Sequence, residues 1–225
     1  MEKIKAIITG ATGMVGRGVL LECLESNDVE KVLIIVRETT GINHPKLNEI
    51  IHKDFSDFSD VIPQMSGYNA CYFCLGISSA GISNEKYHEI TFDLTMHIAE
   101  IVLPLNPEMT FCYVSGAGTS TGEDSSMNWA NVKGKTENAI LEMPFNQSYM
   151  FRPGFIQPEK GVTSKVPLYK AIYIFVSPLF PILDKLFPKS ITTTSRLGKA
   201  MISVVKNGYS ETYLENHDIN RAALK

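Results

Sequence analysis

Apolar residues in this chain come in short unbroken blocks, separated by longer stretches with a period near 3.6 residues. Ile4 to Thr9 is apolar and β-branched, which predicts a parallel strand buried on both faces. Met14 to Ser26 predicts a helix with Val15, Val19, Leu20 and Leu24 along one side. Lys31 to Val36 predicts a second buried strand, Asn48 to Asp54 a short third and Ala70 to Leu75 a fourth. Asn84 to Leu103 predicts a long helix with the stripe Tyr87, Ile90, Leu94, Ile98 and Ile101, stopped by Pro104. Met109 to Ser115 predicts a fifth strand, Asn128 to Met143 a helix ended by Pro144, and Gln147 to Phe151 a sixth strand. Thr194 to Lys206 predicts a last helix and Glu211 to Leu214 an edge strand. Strands alternating with helices imply an α/β, doubly wound parallel sheet of Rossmann type with right-handed crossovers.

The 225 residues suit one such domain over 1–225, with residues 156–193 expected as a small helical lid on the substrate side. Net charge is −3 and no Lys/Arg block stands out, which argues against a nucleic-acid or anionic-membrane surface. No basic and then apolar leader precedes the first strand, which predicts a cytoplasmic protein. Cys71 and Cys74 form a CxxC within a strand, where residues three apart point to opposite faces; buried thiols are expected, not a metal or disulfide site. Val166 to Phe187 is markedly apolar. Lys170, Asp184, Lys185 and the prolines at 167, 178 and 181 interrupt any spanning helix, so short amphipathic helices over the site mouth are expected, with peripheral membrane contact as the alternative.

Gly10, Gly13 and Gly16 stand at G-x-x-G-x-x-G spacing between the first strand and the first helix, in Thr9-Gly10-Ala11-Thr12-Gly13-Met14-Val15-Gly16. There the backbone must turn sharply and approach a pyrophosphate, and the helix N-terminus offers it unpaired N–H groups. Gly10, Thr12, Gly13, Met14, Val15 and Gly16 are therefore cofactor-binding candidates. The residue closing the second strand selects between cofactors. An acidic residue would hold the ribose 2′-OH of NAD; Arg37 stands there instead and suits the 2′-phosphate of NADP, with Arg17 nearby and Glu38 dissenting.

The sequence resembles the short-chain dehydrogenase/reductase superfamily, in its atypical branch, near the TIP30-like and nucleoside-diphosphate-sugar epimerase-like NAD(P)-binding proteins. The residues that carry this are T-G-A-T-G-M-V-G at 9–16, Asp54-Phe55, C-L-G at 74–76, Y-V-S-G-A-G at 113–118, V-K-G-K-T-E at 132–137 and F-R-P-G at 151–154. The resemblance implies that Asp54 and Phe55 flank the adenine and that Leu75 and Gly76 line the adenosine ribose and pyrophosphate. Ser115 matches its catalytic serine and Lys133 its catalytic lysine, which also holds the nicotinamide ribose. Arg152, Pro153 and Gly154 match the loop beside the carboxamide.

The chain departs from that pattern at one decisive place. Four residues before Lys133, on the same helix face, stands Trp129 in place of the family's tyrosine. A phenol can exchange a proton with an alcohol or ketone; an indole N–H only donates a hydrogen bond. Trp129 is then either packing or a wall of the site. Tyr113, Tyr87, His88 and His97 read as core or solvated residues and are weak substitutes. Three functions remain: an NADPH-dependent reductase of a small acceptor, a non-catalytic NADP(H)-binding regulator, and a sugar-nucleotide epimerase, which lacks its tyrosine here. The stripe Tyr87/Ile90/Leu94 suits either the core or a homodimer interface.

Overall fold

In the computed structural model the described residues are 2–163, 180, 183, 186, 187 and 189–225. Seven strands form one parallel sheet in the order β3-β2-β1-β4-β5-β6-β7. They are β1 (Ile4–Thr9), β2 (Val29–Val36), β3 (Leu47–Ile51), β4 (Ala70–Phe73), β5 (Thr110–Val114), β6 (Gln147–Arg152) and β7 (Tyr213–Glu215). The order reverses at β1, so a crevice opens at the carboxyl ends of β1 and β4, where open α/β sheets bind ligands.

The sheet is buried on both faces, and alternate residues divide between two cores. Ile4, Ala6 and Ile8 of β1, Val32, Ile34 and Val36 of β2 and Tyr72 of β4 join one core, under α1 (Met14–Glu25). Ile7, Leu33, Ile35, Cys71 and Phe73 join the other, under α3 (Leu94–Leu105) and α4 (Asn128–Glu142). The unbroken apolar runs of β1 and β2 follow from this two-sided burial. Cys71 and Cys74 fall on opposite sides as expected, and all four cysteines are free thiols.

The first core also receives α5 (Thr194–Asn207) and α6 (Asn216–Ala222). Helix α5 presses against α1 so closely that a Cβ on Gly198 would lie 2.8 Å from Glu22 Cγ. Helix α6 has no counterpart in the periodicity, nor has the two-stranded parallel pair of Phe155–Gln157 with Ile191–Thr193. Both are too short to establish a period.

The expected long helix is divided. Asn84–His88 forms α2, Glu89–Asp93 is a π-helical turn, and α3 follows. Pro104 sits inside the last turn of α3, and the helix ends one residue later. Of the apolar stripe, Tyr87 and Ile98 are buried, while Ile90 and Leu94 face the crevice. Most of the expected lid, including almost all of Val166 to Phe187, lies outside the described residues. No described helix is long and apolar enough to cross a membrane.

Candidate functional site

The crevice is a cleft of about 710 Å³, open to one side. The glycine loop forms its floor. Gly10 has φ +69°, and a Cβ there would lie 2.6 Å from the Cys74 carbonyl. A Cβ at Gly16 would overlap the Gly10 carbonyl itself. The loop closes through Gly13 N–H donating to Gly10 O at 2.8 Å. Gly13 then caps α1 with no side chain, and no acidic residue occupies the first turn. The leading N–H groups of α1, from Met14, Val15 and Gly16, therefore lack intrahelical partners and carry the positive end of the helix dipole.

Gly10, Ala11, Thr12 and Gly13 line the cleft from below, Leu75 and Gly76 from β4, and Arg37 from the end of β2. Thr9 reaches across to accept the Leu75 N–H at 3.4 Å, fixing the β1 and β4 ends together. Phe55 lines the outer wall and stacks on Phe58 at 5.4 Å.

Asp54 departs from its expected place. It is exposed and absent from the cleft wall, because its carboxylate turns back to accept from Ser56 N (2.9 Å) and Ser56 Oγ (2.6 Å). Those bonds hold its carboxyl below the usual range. Its work is to shape the turn that presents Phe55. Two wall residues were not expected to line the cofactor cleft. Lys53 adds a second cation beside Arg37, and only its place between β3 and the Asp54-Phe55 pair could have marked it. His97 lines the same wall from α3, and its Nε2 is buried with no hydrogen-bond partner. From the sequence it read only as a weak substitute acid.

The expected catalytic residues cluster at the neighbouring strand ends, beyond the cleft's lining. Ser115 follows β5 and is 4% exposed; its Oγ donates to Glu137 Oε1 at 2.5 Å. Arg152 closes β6 and donates through Nε (3.0 Å) and Nη2 (2.5 Å) to the same Glu137 carboxylate, which is wholly buried. Lys133 Nζ donates to the Ser115 carbonyl oxygen. Burial pushes the Lys133 ammonium down to about 8, against the opposing pull of Glu137. The Glu137 hydrogen bond raises the Arg152 guanidinium above its ordinary value. Glu137 is the functional residue missed here; it stood within the V-K-G-K-T-E motif, four residues after Lys133 on the same helix face.

Trp129 is half-buried one turn before Lys133, and a Cβ on Gly118 would sit 3.5 Å from the tip of its ring. The indole thus leans on the glycine-rich strand end after β5. Pro153 and Gly154 are tied in from both sides: Ala117 N–H donates to Pro153 O (2.9 Å), and Gly154 N–H to Asn216 Oδ1 (3.0 Å). Tyr113 and Tyr87 are buried core residues that do not line the cleft, and burial pushes their phenols up. The described residues contain no cluster suited to a metal ion.

A cradle that a Cβ would fill and an uncapped helix N-terminus above it together fit a dinucleotide. Fold and cleft define an NAD(P)-binding Rossmann protein of the short-chain dehydrogenase/reductase type. The model of the NAD dependent epimerase/dehydratase family matches residues 6–133, more than half of the chain, and the chain belongs to that family. It is 23% identical to the protein FMP52, mitochondrial, of Meyerozyma guilliermondii, over 85% of each chain. It is 26% identical to the protein HTATIP2 of Rattus norvegicus, over 69% of this chain and 64% of that one. Among solved structures, Gre2 of Candida albicans in complex with NADPH superposes with a TM-score of 0.69 at 17% identity, covering 94% of this chain and 78% of that one. These likenesses agree with the atypical branch to which the motifs pointed. One expectation is corrected. The FMP52 relatives from several fungi are named mitochondrial, which overturns the reading of a cytoplasmic protein that rested on the chain's first residues.

Proposed function

We propose that this chain binds NADP(H) and works as an NADPH-dependent reductase of a small acceptor, one that takes hydride without drawing a proton from a tyrosine. The observation that carries this reading is the pair of cations, Arg37 and Lys53, on the cleft wall where a carboxylate would select NAD. In this reading Gly10, Thr12, Gly13 and the free N–H groups of Met14, Val15 and Gly16 receive the pyrophosphate. Phe55 covers the adenine. Leu75 and Gly76 flank the adenosine ribose, Lys133 holds the nicotinamide ribose, and Arg152, Pro153 and Gly154 shape the loop beside the carboxamide.

The dinucleotide, when bound, supplies the hydride. Trp129 supplies a wall or stacking plate for a planar acceptor and no proton. Quinones, flavins and activated enones suit such a site, because water can complete their protonation. A second reading, a non-catalytic NADP(H)-binding regulator, is favoured by one observation. The Ser115 hydroxyl proton is already given to Glu137, so Ser115 cannot donate to a substrate without rearrangement. Turnover of NADPH against a panel of quinones, flavins and ketones decides between the two. Oxidation with any acceptor upholds the reductase; tight NADPH binding with none oxidised upholds the regulator.

A further inference from the structure

The loop after β2 is held in a way that its sequence, R-E-T-T-G, does not announce. Glu49, in the middle of β3 and paired in register with Ile34, sends its carboxylate back over the end of β2. Glu49 Oε1 accepts from Thr39 Oγ1 at 2.6 Å. Glu49 Oε2 accepts from Thr40 N (2.9 Å) and from Thr40 Oγ1 (2.5 Å). The two hydroxyl oxygens then accept in turn, Thr39 Oγ1 from Gly41 N (3.1 Å) and Thr40 Oγ1 from Ile42 N (3.4 Å). From the other side Arg17 Nη1, on α1 directly after Gly16, donates to the Thr40 carbonyl at 3.3 Å. Residues 39–42 are thus tied to a strand on one side and to the cofactor helix on the other. Arg37, two residues before the first tie, lines the cleft.

We propose that Glu49 is a positioning residue for cofactor choice, fixing the loop so that Arg37 is held ready for a 2′-phosphate. The inference rests on the NADP(H) reading and deepens it. NADPH and NADH differ only in that phosphate, so a staple acting through Arg37 affects one and spares the other. A carboxylate beside a phosphate site would ordinarily repel the ligand. Here three donors and the Arg17 charge surround it. Burial alone would raise the Glu49 carboxyl, yet the hydrogen bonds from Thr39 and Thr40, together with Arg17, keep it below the usual range. The carboxylate is engaged by the loop and by Arg17, and the Arg37 guanidinium remains for the ligand. Holding the loop before the ligand arrives spares the ordering cost on binding.

The test is titration of NADPH and of NADH into the wild type, Glu49→Ala, Glu49→Gln and Thr40→Val, with circular dichroism confirming the fold of each. Glu49→Ala is expected to weaken NADPH by about tenfold, the cost of ordering one or two long side chains, and to leave NADH within about twofold. Glu49→Gln, which keeps an acceptor oxygen without the charge, is expected to weaken NADPH less. Thr40→Val removes one of the three bonds to Glu49 from the loop side and is expected to move the ratio in the same direction as Glu49→Ala but by less. Equal losses for both cofactors would reduce Glu49 to a structural residue, and an unchanged or increased NADPH preference in Glu49→Ala would make its charge repulsive; either result overturns the proposal. A wild type that prefers NADH defeats the NADP(H) reading itself, and the proposal with it. That outcome is read from the wild type alone.

Discussion

Replacing Lys133 by methionine should make the cofactor-free protein more stable at neutral pH while weakening its hold on NADPH. The ammonium is pushed from 10.5 to about 8, chiefly by burial. At about 1.4 kcal/mol per pH unit, that corresponds to a cost of roughly 3 kcal/mol for keeping the charge in place. Lys133 is partly exposed, so solvent screening reduces the figure to about 2 kcal/mol. Methionine keeps the length of the stem but forfeits the hydrogen bond to Ser115 O, worth about 1 kcal/mol. The net gain is about 1 kcal/mol, or a rise in Tm of roughly 2–4 °C for a chain of this size. The sign with pH is fixed by linkage. Below about pH 8 both folded and unfolded chains carry the proton, and the whole cost is present. Between about 8 and 10.5 the unfolded chain binds a proton that the folded chain has released, so wild-type stability gains on the variant as pH rises. Thermal melts of both proteins at pH 7, 8.5 and 10 should show the gap closing across that window. A variant no more stable than the wild type at pH 7, or a gap indifferent to pH, would refute the reasoning.

Glu137→Ala should lower stability by about 3–5 kcal/mol in urea melts, since it strands the mostly buried Arg152 guanidinium; a loss under about 1 kcal/mol would mean the pair is not the anchor of this region. Gly16→Ala should abolish binding of either dinucleotide, because its Cβ overlaps the Gly10 carbonyl and forces the phosphate loop open; retained affinity by fluorescence titration would show the loop to be pliable. Trp129→Tyr restores a phenol one turn from Lys133 and should raise ketone reduction by about 10²-fold or more; brisk ketone reduction by the wild type would point to an acid elsewhere.

The strands of the parallel sheet and the glycine loop were readable in the sequence because each rests on a local signal. β1 and β2 are buried on both faces and so read as unbroken apolar runs, and the glycine spacing reports where a Cβ is forbidden. Residues whose role depends on a distant partner were not readable. Asp54 stands at the expected position yet turns to Ser56, since a short carboxylate two residues before an N–H readily closes an Asx turn. Glu137 looks like any helix glutamate until Ser115 and Arg152 arrive from two other elements. The division of the long helix at Glu89–Asp93 left the apolar stripe nearly in phase, so periodicity did not reveal it. The cytoplasmic expectation failed for a different reason: it rested on the few residues before β1, and those do not report which compartment inside the cell receives a chain.

The central claim is that Arg37 and Lys53 make this an NADP(H) site. It is tested most directly by calorimetric titration of the wild type with NADPH and with NADH, repeated on Arg37→Asp. The account predicts NADPH as the tighter ligand by about tenfold or more, from at least one charge-assisted contact to the 2′-phosphate, with the preference lost in Arg37→Asp. NADH binding as tightly as NADPH, or tighter, in the wild type would contradict it.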